Sequence, residues 1–277
     1  MNSLSRPCVA LITGAAHGIG KATAERLARE PGCHLVLVDR DETVLRDFAG
    51  RLSVPSSYVV ADLTGANVPQ QIRDHVVVRH GRLHVLVNNA GARWTATFAE
   101  GGWKNIRRNM AINFDAAVQL TEALLPILRE SAPSAIVNVS SLGGRVTRKG
   151  TGGYAASKAA IAAWTDTLSL EENGSGVHVG VVLPGFVVTE GFPQRELLAS
   201  RLTRWTVGTP DEVADAIFAV ATKHQFERYV PRGYALAAAT KVLFPGLIRR
   251  LLSSKGGDIA TPKSGGDAPP GGANVAN

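Results

Sequence analysis

The chain has 277 residues, which is long enough to bury one substantial hydrophobic core. It carries 30 lysines and arginines against 23 acidic residues, but no recognisable nucleic-acid-binding module accompanies the net charge of +7, so we predict no nucleic-acid partner. No apolar run approaches the roughly 20 residues of a membrane-spanning helix, and the N-terminus lacks the apolar stretch of a signal peptide. We therefore expect a cytoplasmic protein whose two cysteines, Cys8 and Cys33, are reduced core residues.

Short, β-branched-rich apolar runs alternate with longer amphipathic stretches along the chain. The runs are typical of strands buried on both faces, and they cover Val9–Thr13, His34–Asp39, Tyr58–Ala61, Val85–Asn88, Ile136–Ser140 and Val177–Leu183. Helices are predicted between them, for example at Ile19–Glu30 and Trp103–Arg129. This alternation predicts βαβ units and an α/β fold, a single domain with a doubly wound parallel sheet. In such a sheet, ligands bind beyond the carboxyl ends of the strands.

A glycine-rich turn follows the first predicted strand and opens the first helix. Its sequence is TGAAHGIG, in which the positions of interest are Gly14, His17, Gly18, Ile19 and Gly20. Glycines let the backbone approach a pyrophosphate closely, and the helix N-terminus offers free N–H groups and a partial positive charge. Such a turn alone is also consistent with an ordinary tight connection. Its position inside a βαβ unit favours a dinucleotide site.

Asp39 ends the second predicted strand and bears on the choice between NAD and NADP. A carboxylate at this point accepts hydrogen bonds from the adenosine ribose hydroxyls and repels a 2′-phosphate. A turn-initiating Asp without a ligand is the alternative interpretation, and the neighbouring Arg40 and His17 could supply positive charge near the same ribose. We predict NAD as the cofactor because Asp39 repels the phosphate, and we keep NADP as the alternative.

Tyr154 and Lys158 are four residues apart in the sequence YAASK, at the start of a predicted helix. This spacing places both side chains on one helix face. A phenol with a pKa of about 10 is a poor base at neutral pH, but a neighbouring ammonium stabilises the phenolate and lowers that pKa. A phenol tuned in this way can exchange a proton with an alcohol or carbonyl oxygen.

Together these motifs resemble those of the short-chain dehydrogenase/reductase family. The resemblance runs from about Val9 to Thr189 and includes the glycine-rich turn, Asp62, Asn88-Asn89-Ala90-Gly91, Asn113, Ser140-Ser141, the Tyr154–Lys158 pair and Pro184-Gly185 with Thr189. It implies a Rossmann-type fold. It also implies a nicotinamide-dependent alcohol dehydrogenase or carbonyl reductase.

The resemblance implies a catalytic role for four residues. Ser141 is expected to hydrogen-bond the substrate oxygen, and Tyr154 to donate or accept the proton. Lys158 is expected to bond the nicotinamide ribose and lower the Tyr154 pKa. Asn113 resembles the asparagine that holds a water in the proton relay, although satisfying a helix kink is an alternative explanation for it.

The resemblance also implies a cofactor-binding set, with Asp62 at the adenine and Thr189 and Val187 near the carboxamide. The whole set is Gly14, His17, Gly18, Ile19, Gly20, Asp39, Arg40, Asp62, Leu63, Asn89, Ala90, Gly91, Tyr154, Lys158, Pro184, Gly185, Val187 and Thr189.

Other polar residues receive structural interpretations. We interpret Ser140 as part of a strand end and Asn88 as a residue that bonds backbone between strands. The remaining histidines have no ligand spacing and are expected at the surface or at strand edges, so no metal site is predicted. They are His34, His75, His80, His84, His178 and His224.

The C-terminal third departs from the family pattern. The Gly-rich last strand of many tetrameric relatives is missing, which favours a homodimer.

Residues 190–205 contain Phe192 and Trp205 and predict an apolar substrate lid. Residues 234–252 form a basic amphipathic segment, which more often packs on its own domain or a second subunit than on a membrane surface, an alternative that stays open. The Gly- and Pro-rich residues 253–277 predict a disordered tail beyond a domain of residues 1–252.

The expected function is hydride transfer between a nicotinamide cofactor and a small-molecule secondary alcohol or ketone, which the apolar lid predicts to be lipophilic. A non-catalytic dinucleotide-binding sensor would keep the fold without the chemistry, and the presence of Ser141, Tyr154 and Lys158 argues against it. A membrane-surface enzyme that modifies lipids is the second alternative.

Overall fold

The computed structural model describes residues 8–188 and 206–253. Within these ranges a seven-stranded sheet has the order β3-β2-β1-β4-β5-β6-β9, and every neighbouring pair is parallel. Two short strands, β7 and β8, pair separately. The strands are β1 (Cys8–Thr13), β2 (Cys33–Asp39), β3 (Ser56–Val60), β4 (Val85–Asn88), β5 (Ser134–Val139), β6 (Val177–Pro184), β7 (Phe186–Val187), β8 (Val207–Gly208) and β9 (Glu227–Val230). The six strands predicted from the sequence are therefore confirmed, with ends that differ by at most two residues.

Helices cover both faces of this sheet. They are α1 (Gly18–Leu27), α2 (Glu42–Ala49), α3 (Val68–His80), α4 (Phe98–Met110), α5 (Ala116–Glu130), α6 (Gly152–Glu171), α7 (Pro210–Lys223), α8 (Tyr234–Leu243) and α9 (Pro245–Ser253). One apolar cluster joins the sheet to α1, α2 and α7. A second joins the opposite face to α3, α5 and α6. The predicted single-domain, doubly wound α/β fold is confirmed.

Alternate residues of each central strand point into the two clusters. Ile12 belongs to the first cluster and its neighbour Leu11 to the second, and both are fully buried. This explains why the strand sequences are continuously apolar rather than alternating. The prediction was wrong for β3, an edge strand, because only the face that carries Ser57 and Val59 is buried and Tyr58 and Val60 are exposed.

The predicted helix Trp103–Arg129 is part of a longer unit with two interruptions. Gly102 has a positive φ of +45° and breaks α4 near its start. A π-helical turn, Ala111–Asp115, then separates α4 from α5. The whole stretch Phe98–Glu130 is long and apolar enough to span a membrane by composition alone. It is better explained as a core helix, because α5 packs on α3 and α4 packs on α6.

The C-terminal part of the described chain adds one strand and two helices. The short strand β9, which the sequence did not reveal, forms the second edge of the sheet, and α8 and α9 follow it. The predicted amphipathic segment 234–252 is thus helical, with a break at Phe244. The predicted lid at 190–205 and the predicted tail beyond Ser253 lie outside the described residues.

Candidate active site

The candidate site lies at the point where the winding of the sheet reverses. From β1 the chain proceeds outward to β2 and β3, whereas from β4 it proceeds the other way to β5 and β6. The connections after β1 and β4 therefore leave opposite faces of the sheet, which opens a crevice at the carboxyl ends of these strands. The glycine-rich turn follows β1, and Asn89 to Gly91 follow β4. The predicted motifs are brought together here.

The glycine-rich turn has the geometry that a bound pyrophosphate requires. Gly14 and Gly18 have positive φ angles of +66° and +51°, which only glycine adopts readily. A Cβ atom on Gly20 would lie 1.9 Å from the carbonyl oxygen of Gly14, so no other residue fits there. His17 is the N-cap of α1 and makes no side-chain capping hydrogen bond. The first N–H groups of α1 thus remain available to an anionic group, and the turn fits a dinucleotide.

Thr13 links the glycine-rich turn to the segment after β4 through hydrogen bonds. The sequence analysis did not predict this role. The Thr13 hydroxyl accepts hydrogen bonds from the backbone N–H groups of Asn89 and Ala90, both at 3.0 Å. The Asn89 side chain donates in return to the carbonyl oxygen of Thr13 at 2.9 Å. Asn89 and Ala90 therefore hold the two walls of the crevice in register.

Asp39 supports the glycine-rich turn and has hydrogen-bond acceptor positions left for a ligand. Its carboxylate accepts from the backbone N–H of Ala16 at 3.0 Å and from that of Asp41 at 3.1 Å. A carboxylate has about four acceptor positions, so Asp39 can also accept from ribose hydroxyls. Arg40 is exposed beside it.

His17 lies next to a second carboxylate that the sequence analysis did not consider. Its Nε2 is 3.3 Å from Oδ2 of Asp41. The pKa of the Asp41 carboxyl is lowered first by the backbone N–H of Val44 and then by His17, with a smaller effect of Arg40. Two carboxylates, Asp39 and Asp41, therefore lie at the end of β2, and the imidazole is directed toward one of them.

Asp62 and Leu63 follow β3, one exposed and one buried. Oδ1 of Asp62 accepts from both the N–H and the hydroxyl of Thr64, at 3.0 and 2.8 Å. This local turn fixes the side chain and leaves its other oxygen open.

Tyr154 and Ser141 are brought together from different elements. Ser141 follows β5 and is 9% exposed, and its hydroxyl accepts from the N–H of Gly143 at 3.0 Å. Half-buried Tyr154 lies in the first turn of α6. The pKa of its phenol is raised, because burial outweighs the lowering effects of Ser141 and of the nearby guanidinium of Arg93. The two side chains lie on either side of Gly143, where an added Cβ atom would be 3.3 Å from Oγ of Ser141 and 3.2 Å from the ring of Tyr154.

Lys158 is a buried ammonium, 5% exposed, one helical turn beyond Tyr154. Its Nζ donates to the carbonyl oxygen of Val139 at 2.8 Å. Burial lowers the pKa of Lys158 from 10.5 to about 8. An ammonium has three N–H donors, so Lys158 retains donors for a bound group. Ser140 positions the same helix turn by donating to the carbonyl oxygen of Lys158 at 2.6 Å, which agrees with its structural interpretation.

Asn113 lies in the π-helical turn and is 2% exposed. Its side chain donates to the carbonyl oxygen of Ala92 at 2.9 Å and to the hydroxyl of Ser157 at 3.1 Å, and it accepts from the N–H of Ala92 at 3.0 Å. Asn113 therefore links the segment after β4 to α6. A Cβ atom on Gly91 would lie 2.6 Å from Oδ1 of Asn113 and 3.3 Å from Nζ of Lys158, so a glycine at this position allows both groups to approach the backbone closely.

Arg93, beside Tyr154, and Arg148, beside Arg93, were missed by the sequence analysis. Arg93 keeps solvent contact, but burial of its guanidinium lowers its pKa and it interacts with Tyr154. Arg148 lies 4.6 Å from the centre of the Phe186 ring, and its pKa is lowered by burial and by Arg93. Both residues belong to irregular segments far apart in the sequence, so no spacing pattern marked them.

The residues at the end of β6 and after it form the wall of the candidate site next to Ser141. The carbonyl oxygen of Pro184 lies 3.4 Å from the hydroxyl of Ser141. A Cβ atom on Gly185 would lie 2.0 Å from the ring of Tyr234, which packs directly on this glycine. Val187 is buried in the β7–β8 pair. Thr189, the last predicted cofactor contact, lies outside the described residues.

His84 was expected at the surface or at a strand edge, and this was wrong. It is buried just before β4, where its Nδ1 accepts a hydrogen bond from the backbone N–H of Val9 at 3.0 Å. Burial lowers its pKa, with a smaller effect of Arg82. His84 is therefore a neutral acceptor that joins β4 to β1.

Asn88 is structural as predicted, but its partners are side chains rather than backbone. Its amide donates to the side chains of Thr121 at 3.0 Å and Asn138 at 2.8 Å.

Cys8 and Cys33 are buried free thiols, as predicted. Among the described residues, no cluster of His, Cys, Asp or Glu could hold a metal ion.

Comparison with known proteins agrees with this geometry. The family model described as short chain dehydrogenase matches residues 8–196. The chain belongs to the short-chain dehydrogenase family. This short-chain dehydrogenase is an oxidoreductase, and members of its family use NAD or NADP.

Curated relatives span most of this short-chain dehydrogenase. The 3-oxoacyl-(acyl-carrier-protein) reductase FabG of Thermotoga maritima is 33% identical over 226 residues, which cover 77% of this chain and 90% of the relative. The ketoacyl reductase HetN of a Nostoc species is 31% identical over 241 residues, covering 84% and 82%. The short-chain reductase protein NovJ of Streptomyces niveus is 32% identical over 245 residues, covering 79% and 88%.

Proposed function

We propose that this protein transfers hydride between NAD and a lipophilic secondary alcohol or ketone, with Tyr154 as the acid/base group. The observation that carries the proposal is the convergence of Ser141, Tyr154 and buried Lys158 at the carboxyl end of the sheet, where a Cβ atom on Gly143 would lie 3.3 Å from Oγ of Ser141 and 3.2 Å from the ring of Tyr154. A phenol that lies next to a second hydroxyl can exchange a proton with a substrate oxygen that contacts both groups.

In the direction of alcohol oxidation, Tyr154 accepts the hydroxyl proton of the substrate and Ser141 donates to the substrate oxygen. The nicotinamide ring, when bound, supplies the hydride acceptor. Arg93 favours the phenolate form of Tyr154 because its positive charge lowers the phenol pKa. In the direction of ketone reduction, Tyr154 returns the proton to the carbonyl oxygen.

Lys158 and Asn113 complete the proposed relay behind Tyr154. Lys158 has N–H donors left for the nicotinamide ribose. Asn113 is fixed by Ala92 and Ser157, and one acceptor position on its oxygen remains for a water.

The choice of NAD rests on the carboxylates at the end of β2. Asp39 accepts the ribose hydroxyls in this proposal, and Asp41 adds a second negative charge that disfavours a 2′-phosphate. The pairing of His17 with Asp41 reduces any attraction that His17 offers to that phosphate. Arg40 is the remaining cation and is the main argument for NADP.

The proposed substrate class draws on the relatives and on the sequence. Two relatives are named for reducing oxoacyl or ketoacyl compounds, which carry a ketone on an acyl chain. The apolar residues of the predicted lid at 190–205 fit a chain of this kind.

The proposal is tested by screening secondary alcohols and ketones against NAD, NADP and their reduced forms, at the absorbance band of the reduced nicotinamide. Activity should appear with a lipophilic alcohol–ketone pair and should fall at least ~10²-fold in Ser141→Ala. Ser169→Ala, which removes a hydroxyl from the far end of α6, is the matched control and should retain activity. Equal activity of Ser141→Ala and wild type would contradict the proposal, as would a screen without turnover when the dinucleotide binds, which is the behaviour of a sensor.

A further inference from the structure

The two C-terminal helices leave their apolar side chains uncovered. Leu236, Val242, Leu243 and Phe244 are 74%, 79%, 70% and 57% exposed. Ala238 is the buried residue of α8 among those the structure describes. By contrast α7, the preceding helix, buries eight residues against the sheet and α1. The usual arrangement, in which such a segment packs its apolar face on its own domain, is therefore absent in the described part of α8.

The segment that contains these helices is rich in basic residues. Residues 228–253 contain five basic residues and no acidic residue, whereas the whole chain has a net charge of +7. Arg232, Arg249 and Arg250 are exposed. Exposed apolar and cationic side chains on short adjoining helices are the features of a segment that lies in a membrane interface.

Two contacts hold α8 in place against the candidate active site. The hydroxyl of Tyr234 donates to the carbonyl oxygen of Thr206 at 2.6 Å, and its ring packs on Gly185. Near the other end of α8, Nζ of Lys241 donates to the carbonyl oxygen of Arg145. The exposed face of α8 is thus an outer wall of the site rather than a detached arm.

We propose that α8 and α9 form a docking surface for an anionic lipid bilayer. Apolar side chains at 236 and 242–244 enter the interfacial region, and the exposed arginines Arg232 and Arg250 meet the acidic headgroups. A second copy of the chain fits less well, because a two-fold contact places the same cationic surface against itself with no acid in 228–253 to pair with it. The proposal is independent of the proposed function, since it concerns binding and not turnover.

The proposal predicts lipid-dependent sedimentation of the full chain. Phosphatidylcholine vesicles that contain phosphatidylglycerol should bind the protein at least ~10-fold more tightly than pure phosphatidylcholine vesicles, because cations near the surface gain from anionic lipid. High salt should weaken this binding because it screens the exposed charges.

Two double variants separate the apolar and charged contributions. Leu236→Ser with Leu243→Ser, and Arg232→Glu with Arg250→Glu, should each lower vesicle binding at least ~10-fold. Val78→Ser with Leu170→Ser is the apolar control, because both residues are exposed on other helices. Lys104→Glu with Lys223→Glu is the charge-matched control. Circular dichroism melting checks that all four remain folded.

Retention of binding by both controls supports the proposal. It is overturned if wild type does not bind the anionic vesicles, or if the controls lose as much binding as the α8 and α9 variants. It is also overturned if the Leu236 and Leu243 variant changes the oligomeric mass in solution while vesicle binding stays the same, since the surface would then be a protein–protein interface.

Discussion

Nζ of Lys158 donates to the carbonyl oxygen of Val139 at 2.8 Å, which ties the proposed relay lysine to the last residue of β5. The bond fixes the ammonium at the carboxyl end of the sheet, where the glycine-rich turn also lies. This hydrogen bond does not fully compensate the ammonium for its lost hydration, since burial still lowers the Lys158 pKa to about 8.

This burial predicts an unusual dependence of stability on pH. The unfolded chain holds the Lys158 proton up to its ordinary pKa of 10.5, whereas the folded protein loses it from about 8. The free energy of unfolding should therefore rise between pH 8 and 10.5, by up to about 3 kcal/mol. Urea unfolding of wild type and Lys158→Met should show that wild type gains stability relative to the variant over this range. A constant difference between the two proteins would mean that Lys158 titrates normally.

Asp39→Asn tests the choice of cofactor. The amide keeps one acceptor oxygen for the glycine-rich turn but removes the charge that repels a 2′-phosphate. The NADP/NAD ratio of kcat/KM should rise at least ~10-fold, about 1.4 kcal/mol. Asp47→Asn, which alters an exposed acid on α2, should leave the ratio unchanged. If wild type already prefers NADP, Arg40 and His17 outweigh the two carboxylates and our assignment of this site is wrong.

His84 predicts a loss of stability in mild acid. The folded-state pKa of its buried imidazole lies below the ordinary 6.5, so its contribution to stability is full above pH 6.5 and is lost as pH falls through the folded pKa. Protonation of Nδ1 removes the acceptor of the Val9 N–H, at a cost of about 1–3 kcal/mol. His84→Asn keeps an acceptor that does not titrate. Unfolding curves between pH 7 and 5 should therefore show wild type losing stability relative to this variant; parallel curves would refute the role of His84.

Much of this architecture follows from local sequence patterns. Central strands such as β1 and β4 are apolar on both faces, and their ends coincide with glycine or asparagine, so their positions could be predicted closely. The strand β9 was not, because its sequence Glu227–Val230 is short, polar at one end and only partly buried. Its pairing with β6 depends on the folded sheet rather than on its own residues.

Site residues were predictable only where a spacing carried the information. Tyr154 and Lys158 share a helix face, and the glycine-rich turn requires glycine at fixed positions. Arg93, Arg148 and Tyr234 come from separate segments that only the tertiary structure brings together. Asp41 was overlooked because a carboxylate two residues from Asp39 has no distinctive spacing.

Arg93 provides a test of the electrostatics around Tyr154. Since its guanidinium lowers the phenol pKa, Arg93→Gln should shift the pH profile of kcat/KM for alcohol oxidation toward higher pH. Arg93→Lys keeps the charge and should restore most of the wild-type profile. An unchanged profile in Arg93→Gln would show that Arg93 does not act on the group that titrates.

The most direct test of the central claim is the turnover of Tyr154→Phe, measured with the best substrate pair from the screen. The variant keeps the aromatic ring but has no proton to exchange, so kcat should fall at least ~10²-fold while the dissociation constant of the dinucleotide stays close to that of wild type. Tyr229→Phe, which removes a hydroxyl from the edge strand β9, should retain kcat. Turnover of Tyr154→Phe near the wild-type value would contradict the assignment of Tyr154 as the proton-transfer group.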